Sequence, residues 1–194
     1  MLLEHLIYSA ALAIIVGMIF MHYTGKDFSW IIILMTIMPD TDYVLSCFIF
    51  NCTATLPITH GDFHNILALV FFSLCAALAL SRVGIQFTDA LIYSVIGFGA
   101  HLIEDALVYK YLYNYFYPFD VKITGWGIIT ETRDLFGWAG TQVLLVGVIV
   151  FCLAVIIRMC YEDGWTMSKY IQNYLDVGKD MKSYIGRHME YKLW

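Results

Sequence analysis

The sequence predicts an all-α, polytopic membrane helix bundle of about four to five spans, with a metal site at one membrane face. Three observations lead there. Hydrophobic residues make up 60% of the 194 and charged residues only 14%, with a mean hydropathy of +0.71, too apolar for an ordinary soluble domain. The apolar residues gather in runs, several as long as a bilayer-crossing helix. Histidines and aspartates stand at the borders of those runs, where an ionisable group is costly and its default reading is functional.

Three prolines and no low-complexity tract leave no room for a disordered linker. The expected organisation is one membrane-embedded domain, 1–160, and a polar cytoplasmic tail, 161–194. A net charge of -5 without a basic patch argues against nucleic acid as a partner and leaves membrane lipid as the expected one. The five cysteines form neither a CxxC pair nor a zinc-ribbon spacing. Cys75 and Cys152 lie inside apolar runs and are expected to be packing residues. Cys47 and Cys52 are near enough in sequence to pair in an oxidising compartment.

The first span is expected over 6–22, with His5 at its start. The chain opens Met-Leu-Leu-Glu-His, without the positive n-region of a signal peptide. A polar break follows at Thr24, Gly25, Lys26 and Asp27. Residues 28–38 are apolar and run into Pro39-Asp40-Thr41-Asp42. The proline disfavours helix at Met38, so a helix should end there. Either a short helix stops at the aspartates, or one span over 29–50 is broken in its middle. The third span is expected over 65–80, with His60 and His64 in its first turns. The fourth should run from an N-cap at Thr88 to about Val108, with His101, Glu104 and Asp105 in its last turns. Its Gly97 and Gly99 would allow close helix approach. The tyrosine-rich stretch 109–136 reads as an interfacial segment, since tyrosine and tryptophan gather at membrane surfaces. The last span is expected over 137–159.

In an up-and-down bundle the polar ends fall together. His5 opens the first span, Asp40 and Asp42 close the second element, His60 and His64 open the third, and His101 and Asp105 close the fourth. The other side carries Lys26, Arg82 and the tail from Arg158 onward, eight of the eleven lysines and arginines. The ligand side has Lys110, Lys122 and Arg133. The positive-inside rule then makes the tail cytoplasmic and turns the site outward.

The expected metal ligands are His5, Asp40, Asp42, His60, His64, His101 and Asp105. On a helix, the spacing of His101 and Asp105 brings both side chains to one face. Imidazole with carboxylate and no thiolate suits zinc, manganese or iron at a hydrolytic site. Seven ligands exceed one tetrahedral ion and suit two divalent metals bridged by a carboxylate, with positions open to water. Asp62 and Glu104 are the candidates to orient a histidine or act as general base. Arg133 is the candidate to hold a phosphate.

Several stretches together resemble the YdjM-like family of membrane-bound metal-dependent hydrolases: Glu4-His5-Leu-Ile-Tyr-Ser, Met38-Pro39-Asp40-Thr41-Asp42, the histidine pair His60 and His64, and Gly97-Phe98-Gly99-Ala100-His101-Leu-Ile-Glu-Asp105-Ala106. Tyr117-Pro118-Phe119 is similar to the aromatic-proline piece that follows in that family. The likeness covers roughly 1–120. In place of the family's His-Arg-Gly-x-Thr-His, this chain has His60-Gly61-Asp62-Phe63-His64, one residue shorter and without the arginine. The order His, Asp, His, His-x3-Asp is more distantly similar to the zinc-dependent phospholipase C and S1/P1 nuclease group.

The resemblances imply a membrane-embedded, metal-dependent hydrolase, acting on a lipid or lipid-linked phosphoester through a metal-activated water. Two other classes stay open at this point. A metal transporter or metal sensor would also use intramembrane histidines and carboxylates, but would need polar groups toward both faces. A non-catalytic scaffold would use the same groups only to hold helices together.

Overall fold

The computed structural model describes residues 2–42, 44–45, 61–127 and 138–161. His60, Arg133, Cys47, Cys52 and the tail from 162 onward lie outside the described residues. The chain forms α1 (Leu2–Thr24), α2 (Trp30–Thr36), α3 (Ile66–Ser81), α4 (Phe87–Val108), the short strands β1 (Leu112–Tyr113) and β2 (Ile123–Thr124), and α5 (Trp138–Tyr161). Among the described residues three helices, α1, α4 and α5, are long and apolar enough to cross a membrane, and α3 is a shorter apolar helix. Their outward faces carry large apolar side chains, such as Phe71 and Leu78 on α3 and Leu153 and Ile156 on α5. Helices apolar on every side are those of a core or a membrane, and the molecule is consistent with an integral membrane protein.

Local chemistry sets the boundaries. α2 has only two turns and ends ahead of Pro39, and Thr41, Asp42, Val44 and Leu45 are helical again beyond it, so the described residues fit the form broken in its middle. Asn65 has extended backbone, and its side chain accepts a hydrogen bond from the Ala68 amide at 2.8 Å, capping α3. This corrects the expectation that His64 lies in the first turns of the helix. Gly61, with φ of +105°, opens a turn ahead of α3, and the His64 amide donates to the Gly61 carbonyl. His64 therefore stands before the cap. α4 begins at Phe87 with Gln86 at the cap position, two residues ahead of the expected cap Thr88. Cys75 and Cys152 are free and exposed on the outer faces of α3 and α5, rather than packed inside.

The core lies between α2 and α4, where Ile31, Ile32 and Met35 meet Ala90, Tyr93 and Phe98. A Cβ at Gly97 would run into the Ile32 carbonyl oxygen and stand 2.8 Å from the Ile32 Cα, so glycine allows this approach. Ser9 on α1 and Thr36 on α2 share a buried hydrogen bond of 2.7 Å, and the Thr36 hydroxyl also lies 3.1 Å from the Gly97 carbonyl. α1 and α5 run side by side in the same direction. Tyr8 donates to the Val143 carbonyl at 2.9 Å near their starts, and Tyr161 Oη lies 2.7 Å from His22 Nδ1 near their ends. Between these levels, the buried Arg158 guanidinium reaches Asp27 at 3.5 Å and the Ile14 carbonyl at 3.5 Å. Asp27 also accepts from the Ser29 amide at 2.9 Å, which fixes the turn leading into α2.

Candidate metal centre

The first turns of α1, the turn after α2, the residue before α3 and the last turns of α4 meet at one end of the bundle. They bring together His5, Asp40, His64, His101 and Asp105. His5, His64, His101 and Asp105 are buried, and Asp40 forms the partly open edge. Asp105 is the hub. Its Oδ1 lies 3.5 Å from His5 Nε2, and its Oδ2 lies 3.2 Å from His64 Nε2 and 3.5 Å from His101 Nε2. Asp40 Oδ1 approaches His64 Nε2 at 3.6 Å and His101 Nε2 at 3.8 Å. The Nε2 atoms of His64 and His101 are 3.2 Å apart. The His5 and His101 rings stack with centroids 4.0 Å apart.

Among the described residues, two sets of three are grouped as a metal ion would require: His5, His101 and Asp105, and Asp40, His64 and His101. In each, the donor atoms lie within 4.8 Å of one another. Imidazole and carboxylate in this mixture fit zinc, manganese or iron. The His101 Nδ1 is buried without a hydrogen-bond partner, so its other nitrogen, within the cluster, is the one that makes the polar contacts.

Two carboxylates stand behind the histidines. Glu104 Oε2 lies 3.0 Å from His5 Nδ1, and Asp42 Oδ2 lies 3.4 Å from His64 Nδ1. The same Asp42 oxygen accepts from the Gly61 amide at 2.8 Å and the Phe63 amide at 3.3 Å, so it also shapes the turn that presents His64. A carboxylate on one imidazole nitrogen fixes the ring and directs the other nitrogen toward an ion. Asp42 and Glu104 stand at the distance for such a contact, Glu104 without being aligned for a hydrogen bond to His5 Nδ1, and neither belongs to the two ligand sets. Asp62 is exposed on the turn, where its backbone carbonyl accepts from Asn65 at 2.6 Å, and it too is outside both sets. His60 and Arg133 lie outside the described residues.

Electrostatics bind the edge together. Burial pushes the His64 imidazole down, but hydrogen bonds to Asp105, Asp40 and Asp42 outweigh it and raise its pKa to about 11. Burial pushes the Asp40 carboxyl up, while the hydrogen bond to His64 and the nearby His101 and His5 pull it below its usual value.

No family model, curated protein or solved structure matches this chain.

Sequence reasoning missed the cover over the cluster. The segment after α4 folds back as a hairpin, with Leu112 paired to Thr124 and Tyr113 to Ile123. The Tyr113 ring stacks against His64 with centroids 6.1 Å apart. Tyr109 donates to the buried Glu4 at 3.2 Å and lies beside His5. Burial first, then the negative charge of Asp105, pushes the Tyr113 phenol up, so it stays protonated. The alternating tyrosines at 109, 111, 113 and 115 were the available signal, since alternation marks a strand with two unlike faces.

Proposed function

We propose that this protein is a membrane-embedded, metal-dependent hydrolase of phosphoesters, with a lipid or lipid-linked substrate, of the kind for which the YdjM-like family is named. The observation that carries the reading is Asp105, whose two oxygens face three imidazoles that come from α1, the residue before the α3 cap and α4. Asp105 would hold a divalent cation together with His5 and His101, beside a second possible set of Asp40, His64 and His101.

When bound, such cations lower the pKa of a water and neutralise charge on a phosphoryl oxygen. The chain's own residues do the rest. His5, His64, His101, Asp40 and Asp105 supply the donors. Glu104 and Asp42 hold two of the rings in orientation. Tyr113 and Tyr109 shield the cluster from bulk water, which strengthens its electrostatics. Hydrolysis breaks one P–O bond, with hydroxide going to phosphorus and a proton to the departing alcohol.

The position of the cluster favours hydrolysis over transport. It sits at the helix ends, and Ile31, Ile32, Met35 and Phe98 pack behind it toward the other end. The proposed orientation has the site outward and the tail in the cytoplasm.

The test is elemental analysis of detergent-purified protein, wild type beside Asp105→Ala. About two equivalents of zinc, manganese or iron are expected in the wild type, with most of it lost in the variant. Hydrolysis of lipid phosphoesters should disappear with the metal. Full metal content in Asp105→Ala would refute the assignment.

A further inference from the structure

The hairpin over the metal centre has a second face. Along 109–113, Tyr109 and Tyr113 are buried, whereas Tyr111 and Leu112 between them are exposed, Leu112 at 61%. Further along, Phe116, Tyr117, Phe119 and Trp126 are also turned outward, with Phe119 at 71% and Trp126 at 78% exposure. Large aromatic side chains left this open normally mark a contact surface.

The occupant follows from what adjoins this face. The Ile66 amide at the start of α3 donates to the Tyr115 carbonyl at 2.9 Å, and Tyr115 Oη donates to the Leu102 carbonyl on α4 at 3.2 Å. The hairpin is thereby tied to two apolar helices at the level where Ile66, Leu67 and Ile103 are themselves exposed. The apolar surface passes from the helices onto the hairpin at this point. The exposed charges Asp120 and Lys122 lie at 3.8 Å from each other near its far end, where they can remain in water. Tyrosine and tryptophan beside spanning helices, apolar in body and polar at the tip, have the composition of a membrane-interface belt.

We propose that the outer face of the hairpin is seated in the lipid–water interface of the bilayer that holds the helices, while its inner face closes over the metal centre. One short ribbon then sets the depth of the site: the cluster lies at headgroup level, beside lipid rather than above it. The inference rests on exposure and connectivity, not on the hydrolytic reading, and it stands or falls separately.

The experiment uses the full chain in phosphatidylcholine vesicles and compares wild type with Trp126→Phe. The difference between their emission spectra is the Trp126 component. Trp126 contributes its backbone amide to the Ala106 carbonyl, so the conservative change leaves that bond intact. Seating about 5–10 Å into the headgroup and upper-acyl boundary predicts that lipid brominated near the top of its chains reduces this component by about half or more, while aqueous acrylamide has little effect. Adding Phe119→Trp to the Trp126→Phe background should restore a component with the same behaviour. A Trp126 component untouched by brominated lipid overturns the proposal. If acrylamide then quenches it, the face looks into water; if neither agent does, protein covers it.

Discussion

His64 stands among three carboxylates, with Asp42 at Nδ1 and Asp40 and Asp105 at Nε2. Without metal it keeps its proton far above neutral pH, to about 11. The sign of its effect on stability follows. A folded pKa above the unfolded 6.5 gives stabilisation that is complete below 6.5 and is lost as pH rises toward 11. Chelator-treated protein should therefore melt at progressively lower temperature from about pH 7 to pH 10, and His64→Asn should flatten that slope. Metal affinity should move the other way and rise with pH, because the ion must displace this proton. Thermal scans with and without zinc measure both trends. At this scale the sequence showed which residue types gather but not how they divide. His5, Asp40, His64, His101 and Asp105 were legible as ligand types at helix ends. That Asp42 would face the far nitrogen of His64 depends on the turn at Gly61, and its own bonds to the Gly61 and Phe63 amides shape that turn. Glu4 and Tyr109 gave no local signal of their pairing, since they meet across 105 residues.

Among the elements, α2 and α4 depend on one missing side chain. Gly97→Val should force α2 away from α4 at Ile32 and cost about 1–3 kcal/mol, seen as a lower melting temperature in detergent; Gly99→Ala, whose Cβ would meet only Leu69 at an ordinary 3.7 Å, should be tolerated. At the other end of the bundle, Asp27 and Arg158 are both buried. Removing one partner strands the other charge, so Arg158→Met should cost about 3–5 kcal/mol. The double variant Asp27→Asn, Arg158→Met should recover part of that loss. Denaturant titration of the three variants checks this. Apolar runs disclosed the long helices to within a few residues, because length and hydropathy are one-dimensional properties. The hairpin was legible only as an aromatic, interfacial stretch: its pairs lie about ten residues apart, and two paired positions per strand leave no run to detect. Asp27 looked like part of a polar break, because its partner arrives from the last span.

For the whole molecule, the five candidate ligands His5, Asp40, His64, His101 and Asp105 meet at one end because successive elements alternate in direction, as the order of polar ends in the sequence implies. Sidedness is a separate matter, argued from charge. If the positive-inside rule holds, fluorescent protein fused after Trp194 should fluoresce in cells, and alkaline phosphatase fused there should be inactive. The reverse result would turn the site toward the cytoplasm without altering the cluster. The pairing of α1 with α5 bears on how the centre is made. Every ligand precedes α5 in the chain, yet α1, which carries His5, is fastened to α5 through Tyr8, His22 and the Ile14 carbonyl. During synthesis His64, His101 and Asp105 emerge before the helix that pins His5 in place. A metal ion taken up at the proposed centre would therefore meet an unfinished cage in the nascent protein, and loading would be a late step that reports completed assembly.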